Sequence, residues 1–203
     1  AIVAGLVSFR AVIDKGDLKE LSSRLGGMQK KIDAALKRPL NRTADKARSL
    51  IAKEITQRIN IKRKDLLGSG KGSSKSALIS KSAMKWQANT IVVTLKKEDQ
   101  PQLMKFVTKV ARYRGGGVYY KIKKGGKQQF LPGAFIVKKH GVRFVTRRKG
   151  KARKPIADPL RAVSPWAVYV KNNLGPPINL ELTGYLKKEV RAAIKNVIRK
   201  QSK

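Results

Sequence analysis

Apolar positions in this chain change period several times, and each change marks an element. Leu6 to Ile13 reads as a first strand. Asp17-Leu18-Lys19-Glu20 then has the spacing of a capping box, with Asp17 placed to accept from an amide of the first turn and Glu20 to reach back. Leu18, Leu21, Leu25, Met28, Ile32 and Leu36 follow at intervals of three and four, which makes one helical stripe. Gly26-Gly27 weakens its middle and allows a break into two helices. Pro39 lacks the amide an interior helical position needs, so a kink or a restart is expected there. The stripe resumes as Leu40, Ala44, Ala47, Ile51, Ile55 and Ile59, with Arg42, Lys46, Lys53 and Arg58 on the opposite face. Core packing with a solvated basic face accounts for this second stripe. A basic face laid along an acidic partner is the sharper reading.

Beyond residue 60 the pattern shortens. Gly68 to Ser76 is a Gly-Ser-Lys loop that lacks the spacing of a nucleotide phosphate loop and reads as a linker or mobile arm. Ala77–Trp86 and Thr90–Lys96 suit a hairpin with Ile91, Val93 and Leu95 on one face. Asp99 and Pro101 are placed to open a short helix carrying Leu103, Phe106, Val107 and Val110, ended by Gly115-Gly116-Gly117. Val118, Tyr120 and Ile122 alternate with Tyr119, Lys121 and Lys123 as a half-buried strand before a Gly125-Gly126 turn. Phe130–Lys138 and Val142–Arg147 predict a second hairpin across His140-Gly141. Ile156, Leu160, Val163, Trp166, Val168 and Val170 bring core back. Pro176-Pro177 reads as a rigid connector to a last helix with Leu182, Leu186, Val190, Ala193 and Val197 on its stripe. Lys187, Lys188, Arg191, Lys195, Arg199 and Lys200 lie off that stripe.

These elements predict an α+β fold. A small, mostly antiparallel sheet from 77–96 and 118–147 packs against a long N-terminal helix over 28–59 and a C-terminal helix. Residues 1–203 form a single domain with flexible basic loops at 68–76, 112–127 and 147–155.

Charge changes the picture from fold to function. The chain has 48 Lys and Arg against 12 Asp and Glu, a formal net charge of +36. A compact monomer this basic repels itself at low salt, so a partner must neutralise it or part of it stays extended until assembly. From Gln100 to Ala157 there are seventeen Lys or Arg residues and no acid. An unbroken charge block would be a disordered tail. Here the cations are threaded through apolar segments, so they decorate a folded surface that must meet a dense anion, with a polynucleotide backbone the usual one. Arg147-Arg148-Lys149-Gly150-Lys151-Ala152-Arg153-Lys154 is the densest cluster, and contacts from it would go to phosphate and be blind to sequence. Lys121, Lys123, Lys124 and Lys127 form a second cluster. Gly115-Gly116-Gly117 serves either as a flexible turn or as a nest of amides for phosphate.

Catalytic chemistry has little raw material here. There is no Cys, which excludes disulfides, thiolate metal sites and cysteine nucleophiles and fits a reducing compartment. His140 is the only His and sits in a turn context. Between Asp65 and Asp158 the only acids are Glu98-Asp99, better placed as a turn or cap than as a metal or acid–base pair. No cofactor motif is present. No run approaches the roughly 18 apolar residues of a membrane span. Ala1–Phe9 lacks the basic region of a signal peptide, so synthesis in the cytosol is expected.

The order Pro132-Gly133-Ala134-Phe135-Ile136, Gly141, Val145, Arg147, Gly150-Lys151, Arg153, Pro155-Ile156 resembles the lambda-type minor tail protein Z family of long-tailed phages. Asn41-Arg42-Thr43-Ala44 looks like that family's "NR-A" helix, and Leu186-Lys187-Lys188-Glu189 has its counterpart in the closing helix. The resemblance implies a structural virion component with no enzymatic activity. It would act late in tail assembly at the head-proximal end and help complete the head–tail passage through which DNA runs. The implied partners are the tail terminator, the tail tube, the tape measure, the head–tail connector and phage DNA. The implied form is a homo-oligomeric ring in the virion, assembled in the host cytoplasm. A ribosomal or other structural RNA-binding protein is the alternative that explains the charge equally well. A nucleic-acid enzyme would need an acidic metal cluster.

Overall fold

A computed structural model of the chain describes residues 2–3, 6–11, 15–24, 26, 29–68, 77–81, 91–96, 99–111, 116–148 and 156–201. Several sequence expectations fall outside these residues: Ile13, Leu25, Met28, Ser69–Ser76, Trp86, Thr90, Glu98, Gly115 and Lys149–Pro155.

The first helical stripe is two helices, α1 (Lys15–Arg24) and α2 (Gln29–Arg58), with Gly26 between them at φ +59°. Asp17 lies inside α1 and does not cap it, because the helix begins two residues earlier. Pro39 does not restart the helix either. α2 runs through it for 30 residues, about 45 Å at the usual rise. Pro39 and its neighbours Leu36 and Leu40 are buried, so packing on both sides holds the turn that proline weakens. The Thr43 hydroxyl, itself buried, donates to the Pro39 carbonyl at 2.9 Å.

Leu36, Leu40, Ala44, Ala47, Ile51, Ala52 and Ile55 of α2 are each at most 1% exposed. Alanines at three of these positions let other elements approach the helix closely. One neighbour is the last helix, α5 (Gly175–Gln201), which buries Ile178, Leu182, Leu186, Val190 and Ile194. Pro176 and Pro177 belong to its first turn and do not form a separate connector, since the missing amides have no helical partner there in any case.

The other neighbour is a four-stranded antiparallel sheet in the order β1 (Ile2–Val3), β2 (Leu6–Ala11), β4 (Ile91–Lys96), β3 (Ile79–Lys81). β2 pairs with β4 from Leu6↔Lys96 to Ala11↔Ile91, so the first part of the chain sits inside this sheet beside a strand about 85 residues later. Ile79 faces Leu95 across β3 and β4, and both are buried.

The remaining strands form two further sheets, so the antiparallel strands make three small sheets and not one. β5 (Val107–Val110), β6 (Gly117–Tyr120) and β7 (Gln129–Pro132) make the first. The helix expected over 103–110 is only a 3-10 turn, Leu103–Phe106, whose Leu103 and Phe106 are buried. Val107-Thr108-Lys109-Val110 is rich in β-branched residues and pairs with β6 instead. The second small sheet is the hairpin β8 (Ala134–Lys139) and β9 (Val142–Arg147). His140 and Gly141 turn it at φ +49° and +77°, both in the left-handed region as a type I′ turn requires.

The strand expected from Phe130 to Lys138 is cut at Gly133, φ +67°, where the chain leaves β6 and turns to pair with β9. The Gly133 amide donates to the Gly116 carbonyl at 2.9 Å and fixes that corner. Helices α3 (Arg63–Leu67) and α4 (Pro165–Lys171) complete the fold. Ser164 caps α4 by accepting from the Ala167 amide at 3.2 Å, with Pro165 at the first position. Ile156 and Val163 are exposed and do not join the core.

Two glycines test this picture with one chemical change. Gly133→Ala should cost about 1–2 kcal/mol, because an L side chain is strained in the left-handed region. Gly184→Ala, in the interior of α5 with nothing within 4 Å of the added carbon, should stabilise by about 0.5–1 kcal/mol. Denaturant midpoints of the two variants should therefore move in opposite directions.

Candidate functional site

The family-like residues are mostly architectural. Asn41 donates its side-chain amide to the Lys37 carbonyl at 2.9 Å, and Ala44 is buried. Arg42 reaches across to α5 and pairs with Glu189 at 3.0 Å. One turn on, Lys46 pairs with Glu181 at 3.1 Å. The pairing of later α2 positions with earlier α5 positions shows that the helices run antiparallel. Two members of the basic face of α2 are thus engaged within the fold, a partner that sequence could not supply. Glu189 also accepts from the Tyr185 hydroxyl, and the Lys46 ammonium lies 5.9 Å from the centre of the Tyr185 ring. Arg48, half-buried, donates to the carbonyls of Leu67 and Ile79 at 2.8 and 3.2 Å and ties α2 to the end of α3 and to β3.

Pro132, Gly133, Ala134, Phe135 and Ile136 form the corner between the two small sheets. Pro132 pairs with Gly117, where any side chain would run into the Phe130 ring at 2.7 Å. Ala134 is buried opposite Arg147, while Phe135 and Ile136 are half-buried. The Arg148 guanidinium stands 5.8 Å from the centre of the Phe135 ring. Arg148 also bridges to Ile156. The Ala157 amide donates to the Arg147 carbonyl at 2.8 Å, and the buried Thr146 hydroxyl donates to the Ala157 carbonyl at 2.6 Å. The segment containing Lys149, Lys151, Arg153, Lys154 and Pro155 lies outside the described residues. Arg148 and Ile156, on either side of it, are bridged, and Arg147 and Arg148 are exposed.

Lys121, Lys123, Lys124 and Lys127 lie elsewhere. Lys123 bridges to Ile59, the Lys124 amide donates to the Arg58 carbonyl at 2.9 Å, and the Asn60 amide donates to the Ile122 carbonyl at 2.7 Å. This described part of the 112–127 loop is a strand followed by a turn hydrogen-bonded to the C-terminal end of α2. Lys123, Lys124 and Lys127 are exposed, and Lys121 is half-buried. Arg147 stands by the Gly117 end of β6 and Lys121 follows its other end, roughly 13 Å away at strand rise. Arg147 and Lys121 therefore lie on different elements.

A cleft of about 470 Å³ opens between α2 and α5, with Arg38, Arg42, Arg199 and Lys200 around Glu189. Glu189 is already held by Arg42 and Tyr185, so the cleft offers no free acid–base pair. His140 is exposed on its turn, and among the described residues no group of His, Cys, Asp and Glu is placed to hold a metal ion. No described helix is long and apolar enough to cross a membrane.

Comparison with known families decides the identity of the scaffold. The model for prophage minor tail protein Z matches residues 15–203. The chain belongs to the prophage minor tail protein Z family. It is thus a phage minor tail protein, and the corner at Gly133 and the Arg42–Glu189 seam are features of a minor tail Z chain. No curated protein and no solved structure shows a significant match.

Two phenols report on this architecture. Burial pushes the Tyr169 hydroxyl above its ordinary value of 10.0. Tyr185 is raised in the same direction, first by desolvation and then by the Glu189 charge and hydrogen bond, against lowering by Arg42 and Lys46. The protonated phenol is the form that folding favours. Its contribution to stability is complete below the unfolded value near 10 and is lost as pH rises through the folded value. Ultraviolet titration should show late-ionising tyrosine absorbance that is reduced by Tyr169→Phe and by Tyr185→Phe.

Proposed function

We propose that this minor tail protein completes the head-proximal end of the tail and positions DNA in the head–tail passage as a ring of repeated subunits. Family membership over residues 15–203 carries the tail assignment. The net charge of +36 supports a place beside a polyanion. Arg147 and Arg148, with Lys149, Lys151, Arg153 and Lys154 next to them in the sequence, supply one set of cations. Lys121, Lys123, Lys124 and Lys127 at the end of α2 supply a second. The role is positioning by charge, without catalysis, cofactor or metal. The tail terminator, tail tube, tape measure and connector are the protein neighbours this placement implies. The RNA-binding alternative draws no support from the family match.

Electron cryomicroscopy of assembled particles at the head–tail junction tests the proposal. Density for this chain circling the channel, with the Arg147 corner facing inward, is the expected result. A monomer, or a position at the distal end of the tail, would overturn it.

A further inference from the structure

The acids of α5 are engaged with α2, and a set of its cations is not. Both acids within it, Glu181 and Glu189, are paired with cations of α2. Lys187, Lys188, Arg191, Lys195 and Arg199 are all exposed. At 3.6 residues per turn they fall within an arc of about 120° opposite the buried Leu182 and Leu186. None of the five has an ion-pair partner among the described residues. Gly184 and Ala192 are the small residues among them, and Gly184, Lys187, Lys188, Arg191 and Lys195 line one shallow groove.

We infer that this outer face of α5 docks on the phosphate backbone of duplex DNA. The inference deepens the function proposed above and rests on it. A protein partner fits the face poorly, because the centres of protein interfaces are depleted of Lys and enriched in aromatic residues, whereas this face is mostly Lys and has no aromatic residue. A single strand fits poorly for the same reason, since non-specific single-strand sites stack bases on aromatic rings. Duplex phosphate asks only for spaced cations. Lys187 to Arg199 spans about 18 Å of helix axis, and that length of duplex presents about five phosphates on each strand. Five cations meet them, and Glu181, which points the same way as Arg199 five turns earlier, is already paired with Lys46.

The test is the salt dependence of binding of the full chain to a 30-base-pair DNA duplex. Changing Lys187, Lys188, Arg191 and Lys195 together to Gln should reduce the slope of log K against log salt by about 3.6. All four are exposed, and circular dichroism checks that the helix remains. Changing Lys53, Lys62, Lys64 and Lys171 to Gln removes the same net charge from other exposed positions and should leave the slope unchanged. Changing Lys187, Lys188 and Lys195 to Arg should also preserve it. An equal loss from the control set, or a loss confined to a variant neutralised at Arg147–Lys154, overturns the α5 assignment and leaves the DNA-positioning role standing. Failure of the unaltered chain to bind duplex at low salt overturns both.

Discussion

Everything else in the structure leans on the burial of α2. Its apolar stripe is covered by α5 on one side and by the four-stranded sheet on the other. Each fully buried Leu or Ile contributes about 1.5–3 kcal/mol. The exposed ion pairs Arg42–Glu189 and Lys46–Glu181 contribute about 0.2–1 kcal/mol each. Magnitude therefore assigns the roles: apolar burial holds the helices together, and the ion pairs set the register at which they meet. That register in turn decides which side of α5 faces outward.

The scarcity of acids sharpens this division. Only 12 acids stand against 48 cations, and several of them hold elements together. Asp65 ties α3 to the 3-10 turn through Lys105 at 3.0 Å, and Glu54 holds Arg58 at 2.7 Å near the end of α2. Acids engaged in this way leave the outer cations of α5 and of the Arg147 corner without an ion-pair partner among the described residues. A scaffold of this composition stores repulsion that a polyanion relieves, which links the packing of α2 to the proposed place of the protein beside DNA.

Much of this could be read from the sequence where one local signal dominates. The stripe from Leu40 to Ile59, the break near Gly26, the His140-Gly141 turn and the motif order around Pro132 are of that kind. Harder positions were those where tertiary partners override local preference. Pro39 stays helical because its neighbours are buried, and Val107–Val110 leaves a helical frame because β6 offers a ladder. The first strand pairs with β4 far along the chain, which no window of sequence displays. Within the candidate site, the clusters at 121–127 and 147–154 are visible as charge, but the hydrogen bonds that tie 122–124 to the end of α2 are not. The cations of α5 are visible too, but the pairing of Glu181 and Glu189 with α2 is not. Ser164-Pro165, a cap followed by proline, was an available signal for α4.

The central claim is that uncompensated positive charge outweighs the internal ion pairs in this fold. Thermal unfolding of the full chain in NaCl from about 50 to 500 mM tests it directly, because that range shortens the screening length severalfold. If repulsion dominates, the midpoint rises with salt as the exposed cations are screened. A midpoint that falls with salt would show instead that the ion pairs dominate.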